Sequence, residues 1–320
     1  MMQRNGWQAQ ADLYPEVAPL RQASRQLVRE LGFLDDGQNG LGITHSQCHT
    51  LIELERQERL TAGALAQALN LDKSTMSRTV AGLVKRGYVA MRAEPGDRRR
   101  RQLALTARGR RKVAQIHKQA DGSVQAALTA LADDDRAAVV RGLSLYAGAL
   151  ARLRARAEFS IRPIARRDDP AMAGVIRTVM TEFGASGPGF AILDPEVDGM
   201  SRVYRKSRHG YWVVVRGDRV VGGGGYGQLT DAGEEVCELR KMYFLPEARG
   251  VGMGAALLTH VLEQAAGAGY RVCYLETLLA MTQARRLYEA FGFERIAGAM
   301  GRTGHFSCDA YYARDLTPPA

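Results

Sequence analysis

Apolar positions along this chain follow two different periods. From residue 15 to residue 156 they recur mostly every three or four residues, which is the period of amphipathic α-helices. From about residue 157 onward, short apolar runs typical of strands alternate with helical segments. The change of period predicts a mainly α domain over residues 1–156 and an α/β domain of mixed topology over residues 157–320.

Two short helices in the first domain are joined by a very tight turn. The pattern predicts helices over residues 61–69 and 73–86, with Asp72 as the N-cap of the second, an arrangement typical of a helix-turn-helix. In projection the second helix has an apolar face and an opposite polar face, made of Met76, Val80, Leu83 and Val84, and of Ser74, Arg78, Ala81 and Lys85. The polar face fits contacts with base edges in DNA, but an ordinary solvated helix has the same pattern.

A basic hairpin is predicted after these helices. Two short strands, about 88–92 and 102–105, flank a turn and four consecutive arginines at 98–101. Between Arg98 and Lys112 the sequence contains no acidic residue. Two strands with an arginine-rich tip are typical of a wing, a shape that can enter a minor groove.

The net charge is unevenly distributed. Lys and Arg outnumber Asp and Glu by 25 to 15 in residues 1–156, whereas each group numbers 19 in residues 157–320. The whole formal charge of +10 therefore lies in the first domain. This asymmetry favours a polyanionic partner for that domain alone, although a solvated basic surface is the alternative.

The first domain resembles the MarR family of transcriptional regulators over residues 15–156. The resemblance rests on Asp97-x-Arg99 followed by Leu103-x-Leu105-Thr106, placed after a helix-turn-helix that contains Leu65 and Leu69. It implies that Asp97 orients Arg99 towards double-stranded DNA and that the recognition helix supplies further contacts from Ser74, Thr75, Ser77, Arg78 and Lys85. It also implies a homodimer formed through helices 15–34 and 133–156, and hence a pseudo-palindromic operator.

A glycine-rich turn is the most informative stretch of the second domain. It reads Arg249-Gly250-Val251-Gly252-Met253-Gly254 and lies between a predicted strand and an apolar helix. Glycines there let main-chain N–H groups converge on an anion at the positive end of a helix, and Arg249 adds a charge. Alone, the turn could be a simple tight turn or a dinucleotide motif. A Rossmann turn, however, follows the first strand of its unit, whereas about four strands precede this one.

This context resembles the GNAT superfamily of acetyltransferases, whose cofactor motif is R-x-x-G-x-G, over residues 159–315. A second block, Ala284-x-x-Leu287-Tyr288-Glu289-x-x-Gly292-Phe293, follows in the family's order. The resemblance implies a mixed sheet with helices on both faces, acetyl-CoA as cofactor and an amine as acceptor. The pyrophosphate of acetyl-CoA would be bound by main-chain amides of Gly250, Val251, Gly252, Met253 and Gly254. The pantetheine arm of acetyl-CoA would pair with the strand that contains Met242, Phe244 and Leu245. Met281 departs from the asparagine common at its position.

Three side chains are candidates for proton transfer, which acetylation of an amine requires at both the amine and the leaving thiolate. Tyr288 matches the family position that often protonates the thiolate, and packing is its alternative role. Glu238 lies where family members place a general base, and Glu276 is a weaker candidate. Either carboxylate could equally be an exposed charge. The N–H near Phe244 could stabilise an oxyanion.

Other sequence features narrow the interpretation. No apolar run is long enough for a membrane helix and the N-terminus is polar, so we expect no membrane association and a cytoplasmic location. The four cysteines form no C-x-x-C pair, so no metal site is predicted. His45, Cys48 and His49, three and four positions apart, are interpreted as structural. The run of four glycines at 222–225 lies inside a predicted strand, which favours a bulge or close packing over a nucleotide loop.

Three hypotheses for the whole chain follow. The first is a regulator that binds an operator and also acetylates an amine. The second is a pure regulator whose second domain only senses acetyl-CoA or another ligand, which Met281 favours somewhat. The third is an acetyltransferase whose helical half only dimerises.

Overall fold

The computed structural model describes residues 14–34, 40–94 and 97–317, and between 93 and 100 only main-chain elements are described. The first part of the chain contains six helices and three strands within these ranges. They are α1 (Val17–Glu30), α2 (His45–Arg56), β1 (Leu60–Thr61), α3 (Ala62–Leu69), α4 (Lys73–Lys85), β2 (Val89–Glu94), β3 (Asp97–Leu105), α5 (Ala107–Thr129) and α6 (Asp133–Arg156).

The predicted helix-turn-helix and wing are present. Asp72 caps α4 by accepting a hydrogen bond from the Thr75 N–H, and Asn70 takes a left-handed conformation in the turn between α3 and α4. Strands β2 and β3 form an antiparallel hairpin, and β1, which was not predicted, pairs with β3. One apolar core joins these elements, built around Leu51, Leu54, Leu65, Met76, Leu83, Val89, Leu103, Val113 and Ile116. The core lies on the predicted apolar face of α4.

The second part of the chain is an α/β fold. Its elements are β4 (Phe159–Pro163), α7 (Asp169–Glu182), α8 (Met200–Val203), β5 (Gly210–Arg216), β6 (Arg219–Gln228), β7 (Val236–Phe244), α9 (Met253–Gly267), β8 (Val272–Thr277), α10 (Thr282–Ala290), β9 (Glu294–Ile296) and β10 (Ala310–Asp315). The chain divides into two compact units, Met1–Ala137 and Ala138–Ala320, and this division falls within α6. The domain boundary predicted near residue 157 stays a prediction.

A seven-stranded sheet in the order β4-β5-β6-β7-β8-β10-β9 organises the second unit. Neighbouring strands are antiparallel except β7 and β8, which are parallel, so the mixed topology is confirmed. Val213 and Val215 of β5 share a core with α7, whereas Val214 between them shares a core with α9. Because successive side chains of a strand point to opposite faces, these helices cover the two faces of the sheet.

The sequence prediction was wrong at two places in this unit. The last strand begins at Ala310, not at residue 305, because most of the preceding segment bonds to other loops. The Ser307 N–H donates to the Gly189 carbonyl at 3.3 Å, and the Leu279 N–H donates to Asp309 at 2.7 Å. The helix predicted over 197–207 begins and ends earlier, as a 3₁₀ helix over Pro195–Gly199 that is followed by the four residues of α8. Among the described residues, no helix is long and apolar enough to cross a membrane.

Candidate functional site

A wedge opens in the sheet between β7 and β8. The two strands pair only from Val236 with Val272 to Glu238 with Tyr274, although β7 continues to Phe244 and β8 to Thr277. Within the described strands, the main chain of residues 239–244 therefore has no ladder partner on its β8 side. An unpaired strand edge of this kind offers N–H and C=O groups to an extended ligand.

A β-bulge in β7 accompanies the wedge. Gly223 and Gly225 of β6 pair with Tyr243 and Arg240, so that two residues of β7, Lys241 and Met242, lie opposite Gly224 alone. Lys241 has a φ of 49°, and its carbonyl accepts a hydrogen bond from the Tyr211 hydroxyl at 2.8 Å. A bulge bends its strand, which explains why β7 leaves β8 after three pairs.

The run of glycines in β6 serves close packing, as expected. A Cβ added at Gly225 would lie 2.2 Å from the Gly210 carbonyl oxygen, and one at Gly223 would lie 2.9 Å from that of Trp212. No larger residue fits at these positions without moving the neighbouring strand. The stretch is part of the sheet and not a nucleotide loop.

The glycine-rich turn lies at the mouth of the wedge. Gly250 and Gly252 have φ values of 73° and 86°, which L side chains rarely adopt, and Gly252 is the N-cap of α9. A Cβ at either position would meet nothing within 4 Å, so the turn faces open space. A cavity of about 580 Å³ adjoins it, lined among others by Met242, Phe244, Gly254 and Tyr288. Free N–H groups at the start of a helix, glycines and an adjoining cavity fit a phosphate-bearing cofactor.

The remaining predicted cofactor residues contribute differently. Met253 is buried in the core, and Val251 and Leu245 pack against core residues, so their side chains point away from a ligand. The Leu245 N–H bonds to the Val221 carbonyl, and the alternation of an antiparallel pair then turns the Phe244 N–H away from β6. Phe244 is thus the member of this group whose N–H faces the wedge.

Arg249 connects the end of β7 to α7. Its guanidinium makes two bonds to Glu182, at 2.6 and 2.7 Å, and its Nε donates to the Phe244 carbonyl at 2.8 Å. The bond to Glu182 raises the pKa of Arg249 and lowers that of Glu182. Arg249 therefore holds the turn in place, and its predicted phosphate contact stays a prediction.

Tyr288 lies where the wedge meets α10. It lines both the large cavity and a smaller one of about 50 Å³, which Glu276 also borders. The side chain is buried and packs against Phe293, with ring centroids 5.8 Å apart. Burial raises the pKa of Tyr288 far above its usual value, so its hydroxyl keeps its proton at neutral pH.

The two candidate carboxylates differ in their surroundings. Glu238 is 4% exposed, and its Oε2 accepts a bond from Arg240 Nε at 2.6 Å. Burial raises the pKa of Glu238, and the charges of Arg240 and His305 only partly offset this rise. Both oxygens of Glu276, in contrast, accept bonds from hydroxyls, those of Tyr274 and Thr303, each at 2.7 Å. A buried carboxylate with a raised pKa is the better proton acceptor.

Sequence reasoning missed a buried group of charges beside Glu238. The Lys241 side chain is 3% exposed, and its Nζ lies 2.6 Å from Asp194 and 2.7 Å from Glu196. His305 Nε2 lies 2.9 Å from the same oxygen of Asp194. These residues are separated by up to 111 positions, and no local pattern marks Asp194 or His305 as partners.

The outer face of α4 is the candidate DNA-binding surface. Ser74, Ser77, Arg78 and Lys85 are exposed, whereas Thr75 is half-buried and its hydroxyl donates to Asp72 at 2.7 Å. Hydrogen bonds from Ser74 and Thr75 hold the pKa of Asp72 well below its usual range. The side chains of Asp97 and Arg99, the predicted wing contacts, lie outside the described residues.

The rings of His45 and His49 both pack against the Phe33 ring, with centroids 4.7 and 6.4 Å away.

Comparisons with known proteins agree with both resemblances. Residues 178–293 match the Acetyltransferase (GNAT) family and residues 41–100 match the MarR family. The uncharacterized N-acetyltransferase YjgM of Escherichia coli K12 is 43% identical over 157 residues, which cover 49% of this chain and 94% of that protein. A GNAT acetyltransferase structure from Staphylococcus aureus Mu50 aligns with TM-score 0.44 and 20% identity, over 50% of this chain and 99% of that one. A MarR family transcription regulator aligns with TM-score 0.38 and 22% identity, over 45% and 97%.

The chain belongs to the GNAT family of acetyltransferases and carries a MarR family domain ahead of its acetyltransferase domain. The second part of the chain is therefore an acetyltransferase domain.

Proposed function

We propose that this protein is a homodimeric transcriptional regulator that binds a pseudo-palindromic operator in double-stranded DNA and also acetylates an amine. The observation that carries the catalytic part is the wedge between β7 and β8, with the glycine turn at its mouth and two buried titratable side chains, Glu238 and Tyr288, near it. A cytoplasmic location follows from the proposal, because both operator DNA and acetyl-CoA are found there.

The cofactor's two ends fit different parts of the wedge. Main-chain amides from Gly250 to Gly254 would hold its pyrophosphate at the start of α9, and the free edge of β7 around Met242 and Phe244 would pair with its pantetheine arm. Acetyl-CoA supplies the acetyl group as an activated thioester. The Phe244 N–H points into the wedge, where it would stabilise negative charge that develops on the acetyl oxygen.

Two residues would move the protons. Glu238 accepts a proton at Oε1 from the acceptor ammonium, because its Oε2 is held by Arg240 and burial favours the protonated form. Tyr288 would supply its Oη proton to the thiolate that the thioester releases, since its raised pKa keeps the hydroxyl protonated at neutral pH. Glu276 is the weaker candidate for the base because hydroxyls occupy both its oxygens.

Release of free thiol tests the enzymatic part. The full chain is incubated with acetyl-CoA and, in turn, spermidine, an amino acid and a lysine-containing peptide, and a thiol reagent reports free CoA. We expect turnover with at least one amine. The alternative is a domain that only senses acetyl-CoA, which the buried Met281 in place of a polar residue favours. Tight acetyl-CoA binding by calorimetry without turnover across the panel would support that alternative.

DNA binding is supported by the exposed cationic face of α4 and by the net charge of +10, all of which lies in residues 1–156. Contacts with phosphates release counterions, so the affinity should fall steeply with salt. Gel shifts of genomic duplexes with the full chain test this part. Binding without sequence preference, or none at low salt, would contradict the operator proposal and favour a helical half that only dimerises.

Dimerisation is supported by two helices that have no buried residue, α1 and α6. Large apolar side chains are exposed along both, among them Leu20, Leu27, Leu31, Val140, Leu143, Leu145 and Leu153. A helix with an exposed apolar stripe is stable in water when a partner covers it. Light scattering should give twice the chain mass of 35.0 kDa, and a single-chain mass would contradict the proposal.

A further inference from the structure

His305 lies between two carboxylates of the second unit. Its Nε2 is 2.9 Å from Asp194 Oδ2, and its Nδ1 is 4.0 Å from Glu238 Oε1. The three residues come from three separate parts of the chain: the loop after α7, strand β7 and the loop before β10. His305 therefore connects the candidate base to a second carboxylate on its far side.

The surroundings hold this imidazole in place. Its side chain is only 12% exposed, against 5% for Glu238 and 25% for Asp194. The His305 N–H donates to the Thr303 hydroxyl at 3.1 Å, and that hydroxyl donates to Glu276 at 2.7 Å. A largely buried histidine fixed at both its ring and its main chain differs from a surface ion pair, which is mobile and solvated.

The contact with Asp194 determines which ring nitrogen carries the proton. Burial works to raise the pKa of Asp194, but the bond from His305 and the charge of Lys241 outweigh it, so the pKa lies below its usual value and the carboxyl is ionised. An ionised carboxylate only accepts hydrogen bonds, so Nε2 carries the hydrogen. Nδ1 then presents its lone pair towards Glu238 Oε1, the oxygen that Arg240 does not hold.

We propose that His305 is a positioning and proton-relay residue that clears the amine proton from Glu238, with Asp194 stabilising the imidazolium. This inference rests on the proposed acetylation of an amine with Glu238 as base. The ammonium N–H bond breaks as an O–H bond forms at Glu238 Oε1. That O–H bond then breaks as an N–H bond forms at His305 Nδ1, which restores the carboxylate and gives an imidazolium that loses its proton to solvent. The 4.0 Å gap closes by rotation of either side chain, as catalytic contacts commonly tighten when substrate binds.

Several other charges face this pair, and they define the controls. From β7 come Arg240, bonded to Glu238, and Lys241, bonded to Asp194 and to Glu196 of the same loop. From β8 comes Glu276, connected through Thr303. Glu196 shares Lys241 with Asp194 but has no contact with His305 among the described ion pairs, so Glu196→Gln perturbs the charge group while sparing the relay.

The first test is the pH profile of kcat/KM for His305→Asn with the most active amine of the panel. In the wild type, the acid limb follows protonation of Glu238 together with the imidazole beside it. The charge of His305 lowers the pKa of Glu238, so without the imidazole the limb should move to higher pH and kcat/KM at neutral pH should fall about 10-fold. Asp194→Asn should move the limb in the same direction, and Glu196→Gln should leave its position unchanged. An unmoved limb in His305→Asn would overturn the proposal.

The second test does not depend on turnover. In the full chain labelled at histidine, the ring resonances of His305, assigned with His305→Asn, are titrated by NMR in the wild type and in Glu238→Gln. The relay requires the two side chains to share a proton, so the response of the His305 ring resonances to pH should change when the Glu238 carboxylate is removed. If Glu238→Gln left that response unchanged, the relay would be ruled out even if every amine of the panel proved inactive. Coupling without turnover would mean that the proposed acetylation had failed and not the pairing.

Discussion

At the scale of single residues, burial separates the candidate catalytic groups from ordinary surface charges. The sequence identified Tyr288 and Glu238 through family position, with packing as the alternative role of Tyr288 and an ordinary exposed charge as that of Glu238. The structure places both side chains in the interior, where loss of solvent raises the pKa of each. A raised pKa keeps the tyrosine hydroxyl protonated, and it favours uptake of a proton by the glutamate carboxylate.

Tyr288→Phe should lower kcat and leave cofactor binding intact. The substitution removes only the hydroxyl, and the ring keeps its contact with Phe293. General acid catalysis contributes about 10²–10⁴-fold, so a loss of about 10²-fold in kcat is expected. Thiol release at saturating acetyl-CoA measures it, with calorimetric acetyl-CoA affinity as the control. An unchanged kcat would assign Tyr288 to packing alone.

Glu238→Gln should abolish most turnover and also change how stability depends on pH. The folded pKa of Glu238 is raised, so its contribution to stability is present at low pH and is lost as pH rises above the ordinary glutamate value of about 4.3. Glutamine does not titrate. The melting temperature of Glu238→Gln relative to the wild type should therefore be higher at pH 7.5 than at pH 5. The opposite trend would mean that Arg240 dominates and that the pKa is lowered.

At the scale of helices and strands, the sequence predicted most elements because their periods and caps are local. The Asp72 cap of α4 is present as expected. Strand β1 was missed because two residues are too short to show a period. The β7 bulge was missed because it depends on which residues of β6 lie opposite, and the Asp194–Lys241–His305 group because it forms only when distant loops meet.

Gly225→Ala should destabilise the sheet. The new Cβ would lie 2.2 Å from a main-chain oxygen, which cannot rotate away as a side chain could. Overpacking of this kind costs about 1–3 kcal/mol. Gly174→Ala is the matched control, since its Cβ meets nothing within 4 Å and it lies inside helix α7, where alanine is preferred. Urea unfolding should shift to lower concentration for the first variant and not for the second.

Gly252→Ala should weaken acetyl-CoA binding by about 10-fold, or about 1.4 kcal/mol. The residue has a φ of 86° and its new methyl group would point into the open side of the turn, where phosphate would approach. Gly269→Ala imposes the same backbone strain at a φ of 87°, also in open space, but after the end of α9. Calorimetry should detect weaker binding only for Gly252→Ala. An equal loss of affinity in both variants would show that backbone strain, and not the position of Gly252 in the glycine-rich turn, weakens acetyl-CoA binding.

At the scale of the whole molecule, charge divides the chain by function. The sequence alone locates the excess of Lys and Arg in residues 1–156, and the structure places part of it on the exposed face of α4. The acetyltransferase half is balanced at 19 charges of each sign. A balanced domain contributes little long-range attraction to DNA, so steering towards a polyanion should come from the first half.

Single substitutions on α4 should separate sequence reading from charge. Arg78 is exposed, and within the described part of the chain its guanidinium donates a hydrogen bond to the Thr75 hydroxyl at 3.2 Å. Because that bond is between two side chains on the helix surface, Arg78 can leave it to reach a base edge. Arg78→Ala should cost about 1–3 kcal/mol of DNA-binding free energy and relax specificity at one position of the operator. Lys85→Ala, if Lys85 contacts phosphate, should weaken binding to all duplexes equally and reduce the slope of log affinity against log salt by about 1. Arg205→Ala, an exposed arginine of the second unit, is the control for loss of one positive charge. Fluorescence anisotropy at several salt concentrations measures all three. If Arg205→Ala weakened binding as much as Arg78→Ala, net charge and not the helix surface would govern recognition.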